Sequence, residues 1–390
     1  MTMRALLIGP VMEGGEGTYL HLLRSHPPQG IDYWAVGGFH EGAPGVRCQL
    51  AWEVALNRLV RPRAIPDVGF RALRLRDSFD LVHVHAHPVR LTGLGGTPLV
   101  MSEGSSSAVY LGDYLGWDSD RLARGFRRAR RVYRALGLHD RLLAMEQAAR
   151  VYVFSEWARD VNVRWGADPR KLEVVPPGFP APEVVGRREG DTFSFLFVGT
   201  DFERKGGFDV LEAFERVNER HPNARLILAG SDPWRRNPDR LIHAWVSDAR
   251  RARLLATLEN LQRRGVIRLT GPMPSNLVRT TLYPAAAAFV MPTLAEGFGF
   301  TNVEAMSFGL PVISSRAGPI PEVVTHGKSG LLVEPGDLDE LVDAMERLIS
   351  APELTRSMGA AARCDFLDRY TLDHFRSRLA AVYGQALEAT

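Results

Sequence analysis

Ala287-Ala288-Phe289-Val290-Met291-Pro292-Thr293-Leu294-Ala295-Glu296-Gly297-Phe298-Gly299-Phe300-Thr301-Asn302-Val303-Glu304 is the stretch from which the rest of the chain is read. The apolar run from Ala287 to Met291 predicts a buried strand. A Gly-rich turn follows, and it opens a helix that carries a second carboxylate eight residues after the first. A strand–turn–helix junction of this kind presents backbone N–H groups and the positive end of a helix dipole, so it suits an anion. Two carboxylates are out of place in a plain phosphate cradle, yet they accept hydrogen bonds from sugar hydroxyls. A phosphate carrying polyhydroxylated groups, the anatomy of a nucleotide-sugar, satisfies both halves of the pattern. If the span were helical throughout, the two acids would stand about 12 Å apart along the axis. Acid pairs that work across one glycosidic bond sit roughly 5 to 9.5 Å apart. Glu296 and Glu304 are therefore read as recognition groups for different parts of one ligand. The alternative is a helix-capping Glu296 with a surface Glu304, against which the flanking glycines argue.

The same grammar recurs along the chain. Its 390 residues exceed one ordinary core, and two domains of about 180 to 200 residues are expected. Ala5 to Ile8, Leu81 to Val84, Pro98 to Met101 and Val151 to Phe154 read as strands in the first half. After Val174-Val175-Pro176-Pro177-Gly178-Phe179-Pro180 the pattern restarts, with strands at Phe193 to Val198, Ala224 to Ala229, Ala287 to Met291, Pro311 to Ser314 and Leu331 to Val333. Helical segments such as Val210 to Arg220 and Leu338 to Ile349 lie between them. Strands alternating with helices predict an α/β protein with parallel, helix-covered sheets, here twice over, and ligands outside the carboxyl ends of the strands. The expected division is 1–180, 181–371 and a terminal amphipathic helix, 372–390, crossing back over both domains.

Composition narrows the class. Hydrophobic content of 45% and charged content of 24% are those of a globular protein, and no apolar run reaches the 18 residues of a membrane span. Two cysteines, Cys48 and Cys364, offer neither a disulfide framework nor a Cys-based zinc site, which fits a cytoplasmic protein. Net charge is only +3, and of the 48 basic residues just Lys171, Lys205 and Lys328 are lysines, so each of the three merits inspection.

Several runs taken together resemble one family: Pro292 to Gly299, Asn302 to Met306 and Gly309 to Ser315, with Phe197-Val198-Gly199, Glu203-Arg204-Lys205-Gly206-Gly207, Ser155-Glu156-Trp157-Ala158 and Val174 to Gly178 upstream. They look like the signature of the retaining GT-B glycosyltransferases of group 1, glycosyltransferase family 4, over most of residues 145–390. The resemblance implies a GT-B fold, two facing Rossmann-like domains with a cleft between them. It implies a nucleoside-diphosphate sugar as co-substrate, a hydroxyl acceptor (glycan, lipid or small molecule), retention of configuration and no essential metal. Glu304 would hydrogen-bond the nucleotide ribose. Glu296 with the backbone of Gly297, Phe298 and Gly299 would hold the donor sugar, and the amides of Phe300 and Thr301 would meet the diphosphate. Lys205 matches the family lysine that neutralises the leaving diphosphate, and Arg204 offers a planar, forked donor beside it. A solvated loop pair is the other reading of Arg204-Lys205. Gly14, Gly15 and Gly17, in the loop Gly9 to Thr18, would approach the donor phosphates; a plain tight turn is the alternative.

The chain also departs from the family pattern. Glu103 stands where many members carry a histidine, in Met101-Ser102-Glu103-Gly104, and Thr200 replaces an arginine after Gly199. Glu103 joins Lys205, Arg204 and Glu296 as a residue expected at the reacting centre. His83, His85 and His87 alternate on one strand face. They read as core histidines, as a metal site, or, for His85 and His87 with Glu103, as acceptor-side groups. Asp118-Ser119-Asp120 reads as a helix cap rather than a metal motif. The arginines from Arg121 to Arg134, beside Tyr110, Tyr114 and Trp117 and interleaved with Phe126 and Tyr133, suit either a solvated, acid-paired helix or contact with an anionic membrane or polyanionic acceptor. No recognised nucleic-acid module accompanies them. The rivals to glycosyl transfer are a nucleotide-sugar epimerase, a sugar phosphorylase, and an idle nucleotide-sugar binding protein.

Overall fold

The structure, a computed structural model, describes residues 2–9, 15–37, 46–48, 68–69, 71–75, 77–86, 89–104, 118, 120–121, 124–125, 127, 130, 139–183, 192–230, 232–234 and 246–389. The chain divides into two compact units, Met1–Gly178 with Leu372–Thr390, and Phe179–Thr371. Each is built on a six-stranded parallel sheet.

In the first unit the strands are β1 (Met3–Gly9), β2 (Ile31–Gly37), β3 (Leu81–His85), β4 (Leu99–Glu103), β5 (Arg150–Val153) and β6 (Leu172–Val174). They lie in the order β2-β1-β3-β4-β5-β6. Ala5, Leu6, Leu7 and Ile8 are all buried, as a parallel strand covered by helices on both faces requires. The loop expected from Gly9 to Thr18 gives way to helix earlier: α1 runs Gly15–Ser25, so Gly15 and Gly17 belong to its first turn. Gly9 lets α1 come close, because a Cβ there would press on the Leu20 side chain. Two further helices, α2 (Arg141–Gln147) and α3 (Glu156–Trp165), flank β5. Ser155 caps α3 by accepting from the Ala158 N–H at 3.1 Å.

The second unit holds β7 (Phe193–Val198), β8 (Ala224–Ala229), β9 (Ile267–Gly271), β10 (Ala288–Met291), β11 (Val312–Ser315) and β12 (Gly330–Val333). Their order is β9-β8-β7-β10-β11-β12. This is the doubly wound arrangement, whose direction of winding reverses between β7 and β10. Covering helices are α4 (Gly207–Arg220), α5 (Asp248–Arg263), α6 (Phe300–Ser307), α7 (Leu338–Ser350) and α8 (Pro352–Arg369). The last helix, α9 (Leu372–Glu388), counts with the first unit. It buries Phe375, Leu379, Val382, Tyr383 and Ala386, and its Gln385 accepts from Arg150 at 3.0 Å. Among the described residues, no helix is long and apolar enough to cross a membrane.

Candidate active site

In an open α/β sheet a ligand binds beyond the carboxyl ends of the strands where the winding reverses. In the second unit that point lies between the loop leaving β7, residues 199–206, and the loop leaving β10, residues 292–299. The two loops are laced together. The Arg204 carbonyl accepts from the Leu294 N–H at 2.8 Å, and the Arg204 guanidinium donates to the Ala295 carbonyl at 2.8 Å and to Asp201 at 3.2 Å. Close approach depends on glycine. Gly206 caps α4 at φ +77°, and a Cβ there would drive into the Pro292 carbonyl, so any other residue meets both strain and collision.

Lys205 and Glu296 form an ion pair across the two loops, with side chains only 13% and 9% exposed. Burial pulls the Lys205 ammonium downward, against the Glu296 carboxylate that favours its charge. Burial pushes Glu296 upward, but Lys205 and Arg204 outweigh it and hold the carboxyl below its usual range. The direction that decides the pair is that of Glu296: a carboxylate held ionised needs a cation beside it, so both groups carry charge at neutral pH. Glu296 also accepts from the Gly297 N–H at 3.1 Å, which fixes the carboxylate at the start of the Gly-rich turn.

Gly299, at φ +94°, begins α6 with no side-chain cap, and a Cβ on it would lie 2.6 Å from Ile320. The first turn of α6, Phe300 and Thr301, thus opens toward the loops with its positive dipole end. Glu304 follows in the second turn. Arg279, from the π-helical turn Val278–Leu282, donates to it at 3.3 Å, and the Tyr283 hydroxyl donates to its other oxygen at 3.3 Å. Burial raises the Glu304 carboxyl above its ordinary value despite Arg279. The phenyl rings of the motif face elsewhere: Phe298 is 2% exposed and packs on Phe300 and Tyr370.

Behind these loops a buried pair sets the β7 exit. Glu203, 2% exposed, faces Arg251 of α5 at 3.6 Å and accepts from the Val246 N–H at 3.1 Å. Arg251 in turn donates to the carbonyls of Pro233 and Trp234 at 2.7 and 3.0 Å. Gly271, the end of β9, accepts from the Gly230 N–H at 3.0 Å, which ties the β9 end to the β8 exit.

The structure thus brings together Lys205, Arg204, Glu296, Gly297, Phe298, Gly299, Phe300, Thr301 and Glu304 in the second unit. Arg279, Tyr283 and the Glu203–Arg251 pair escaped the sequence reading. Arg279 lies 25 residues before Glu304 in a turn without an apolar period, and nothing in its neighbours marks it. Arg251 sits on an ordinary polar helix, and only its burial sets it apart.

In the first unit, His85 and Glu103 end adjacent strands and both are fully buried. The Ser102 hydroxyl lies 2.8 Å from His83 and 2.8 Å from His85, and the His85 ring meets those of Tyr19 at 4.4 Å and Phe154 at 6.0 Å. His83 is also 2.8 Å from the Tyr383 hydroxyl of α9. Burial, then the neighbouring His85, holds His83 well below the ordinary imidazole value. Glu103 pairs with Arg141 at 3.0 Å. The alternation did place His83 and His85 on one face, and that face is packed by α1 and α9. Ala86, directly after His85, takes φ +51°, the one non-glycine residue in the left-handed region among those described. Gly14, His87, Tyr110, Tyr114, Trp117, Phe126 and Tyr133 lie outside the described residues.

Asp118 accepts from the Arg121 N–H at 2.9 Å, the geometry of a helix cap. Of the basic segment, Arg127 donates to the Arg164 carbonyl at 3.3 Å, and Arg130 pairs with Glu146 at 3.3 Å. Arg121 and Arg124 are exposed, while Arg128, Arg131 and Arg134 lie outside the described residues. Among the described residues, no group of three or more His, Cys, Asp or Glu side chains comes together as a metal site would require.

Residues 183–365 match the family model described as glycosyl transferases group 1. The chain is 30% identical over 312 residues to a D-inositol 3-phosphate glycosyltransferase of Thermobifida fusca (strain YX), covering 74% of this chain and 66% of that protein. It spans about half the length of another protein of that name, 49% of the one from Kribbella flavida, at 31% identity over 53% of this chain. Against the alpha-maltose-1-phosphate synthase of Mycolicibacterium smegmatis it is 26% identical, over 78% of each chain. Among solved structures, sucrose-phosphate synthase from Thermosynechococcus elongatus superposes with a TM-score of 0.67 at 18% identity, over 100% of both chains. Anabaena Alr3699/HepE, solved in complex with UDP and glucose, gives 0.65 at 16% identity, covering 97% of this chain and 98% of that one. These likenesses show the fold, the two Rossmann-like units of the GT-B architecture.

Proposed function

Residues 183–365 belong to the glycosyl transferases group 1 family, and from that membership we propose that this chain transfers a sugar from a nucleoside-diphosphate sugar to a hydroxyl acceptor. The observation that carries the reading is the Lys205–Glu296 ion pair at the winding switch, beside the uncapped first turn of α6. When the glycosidic bond to the diphosphate breaks, negative charge accumulates on the leaving oxygens. A fixed lysine and a helix N-terminus stabilise that charge most in the transition state, where it is largest. Lys205 therefore faces the diphosphate on donor binding, with Arg204 holding the loop that presents it.

Glu296 serves the donor sugar, and Glu304 accepts from the ribose. The positive charge supplied by Lys205 and α6 does the work that a divalent cation does elsewhere, so the reaction proceeds without metal. Retention of configuration rests on the family resemblance. Glu103 acts in the first unit through Arg141. The acceptor side belongs to the first unit, in a protein working in the cytoplasm. The exposed arginines Arg121 and Arg124 are its points of contact with an anionic membrane or acceptor.

A thermal-shift panel of UDP-, GDP-, ADP- and dTDP-sugars, with and without EDTA, tests this on wild type and on Glu304→Ala. A ligand that binds only the folded state raises Tm by mass action. One nucleotide class should raise Tm, independently of EDTA, and lose its effect in Glu304→Ala. UDP, the nucleotide present in the Anabaena structure, is the first to try. No shift with any donor would sink the proposal, and a shift abolished by EDTA would restore a metal to the mechanism.

A further inference from the structure

The chain passes between its units twice, after Gly178 and after Thr371. Within the second unit the two passages lie side by side: the Phe179 N–H donates to the Tyr370 carbonyl at 2.8 Å, and Phe179 pairs with Thr371 in a short parallel bridge. Helix α6 is fastened to this place along its whole length. At its start, the Phe300 ring meets Phe179 at 5.7 Å edge-on, and Phe298 meets Tyr370 at 6.2 Å. In its middle, Arg279 donates from one nitrogen to Glu304 at 3.3 Å and from another to the Pro180 carbonyl at 2.9 Å. At its end, Arg363 donates to the Ser307 carbonyl and, at 3.0 Å, to the Pro182 carbonyl. Two arginines thus each join one acceptor on the helix to one carbonyl of the incoming segment.

We propose that Arg279 is the positioning residue of Glu304, and that through it occupancy of the donor site is coupled to the Phe179–Pro182 segment where the chain enters the second unit. The inference rests on the reading of Glu304 as the carboxylate that accepts from a nucleotide ribose. A guanidinium is planar and its donors form a rigid fork. Any movement of the Glu304 carboxylate toward a hydroxyl therefore turns the same fork that holds the Pro180 carbonyl. A mostly buried carboxylate also needs a cation to keep its charge, and among the described residues Arg279 is the one that pairs with it. Phe298 and Phe300 then have a clear place in the motif: their rings support the two passages, while their backbone serves the ligand turn.

The test combines calorimetric titration with UDP, GDP and ADP and hydrogen exchange of peptides covering 176–183 and 368–374, on wild type, Arg279→Gln and Arg279→Lys. In wild type, a bound nucleotide should slow exchange at the amides of Phe179 and Ala181. Losing a charge-assisted hydrogen bond to Glu304 should weaken nucleotide binding about tenfold or more in Arg279→Gln. The protection should be absent in that variant even at saturation. Arg279→Lys keeps the charge without the fork, so it should recover affinity while the protection stays lost. Unchanged affinity in a folded Arg279→Gln, or wild-type binding without any change at 176–183, would overturn this inference alone. A wild type that binds none of the nucleotides would overturn the reading of the site, and the inference with it. Should the Gln variant not fold, Arg279→Lys still decides the coupling, because nucleotide-dependent protection retained in it would be contrary to the proposal.

Discussion

Lys205 and Glu296 hold opposite charges where neither is well hydrated, so each is the other's condition for staying ionised. That mutual dependence separates their structural role from their chemical one. Lys205→Met leaves Glu296 buried beside a neutral chain, and both stability and turnover should fall. The turnover loss should be about 10²- to 10³-fold, the range for removing one preorganised stabiliser of transition-state charge. In Lys205→Met/Glu296→Gln the unpaired charge is gone, so the urea midpoint should return toward wild type while turnover stays low. If turnover returned together with stability, the lysine would be a structural cation and no more. Each residue was legible in the chain by its chemistry, a rare lysine in a Gly-flanked loop and a carboxylate before a Gly-rich turn, but their pairing across two loops was not. Glu103 was legible only as a departure from the family pattern. Its complete burial against Arg141 depends on what α2 brings to the end of β4, which no local spacing encodes.

Elements place these residues, and the loop leaving β7 shows how. It reverses tightly at Gly206, is pinned to the β10 exit through Arg204, and is anchored from behind by Glu203 and Arg251. Removing one partner of a buried ion pair leaves the other uncompensated, so Arg251→Met should cost about 3 to 5 kcal/mol of stability by urea denaturation. Arg251→Met/Glu203→Gln should recover much of that, and a cost below about 1 kcal/mol for the single change would show the pair to be solvated like a surface bridge. Strands read correctly where the apolar run is continuous, as in Phe193 to Val198, since a strand covered on both faces cannot alternate. They were missed where that rule weakens. Ile267–Gly271 at the sheet edge reads Ile-Arg-Leu-Thr-Gly, Leu172–Val174 has only three residues, and Ile31–Gly37 carries Asp32 and a half-exposed Trp34 at the other sheet's edge. Edge strands have one neighbour and meet solvent, so their pattern is diluted. The helix at Gly15 began earlier than expected for a related reason. First-turn N–H groups need no partner within the helix, so glycine there leaves little trace of the boundary.

At the scale of the whole chain, two units with separate cores should not melt as one, and their titrating groups pull in opposite directions. In the first unit, His83 is enclosed by Ser102, Tyr152, Tyr383 and His85, and among the described residues it meets no carboxylate. It stays neutral when folded, at a value well below 6.5. The unfolded chain therefore binds the extra proton as pH falls through about 6.5, and this unit should lose up to about 1.4 kcal/mol per pH unit from this one group. In the second unit, Glu304 is raised, so the folded form takes its proton at a higher pH than the unfolded form does. Acidification toward 4.5 stabilises that unit until the unfolded carboxyl also protonates, and Glu296, held low, opposes only below that point. Scanning calorimetry between pH 7.5 and about 5 should therefore show two transitions that shift differently, the one assigned to the first unit falling and the other holding or rising. His83→Gln should flatten the falling one. A saturating nucleotide should raise the other, by about 2.7 kcal/mol at a hundredfold excess over Kd. One transition shifting as a block with both proton and nucleotide would mean that the two units unfold as a single cooperative body. The histidine cluster and the donor site would then share one stability, and neither unit's core could be argued separately from the other's.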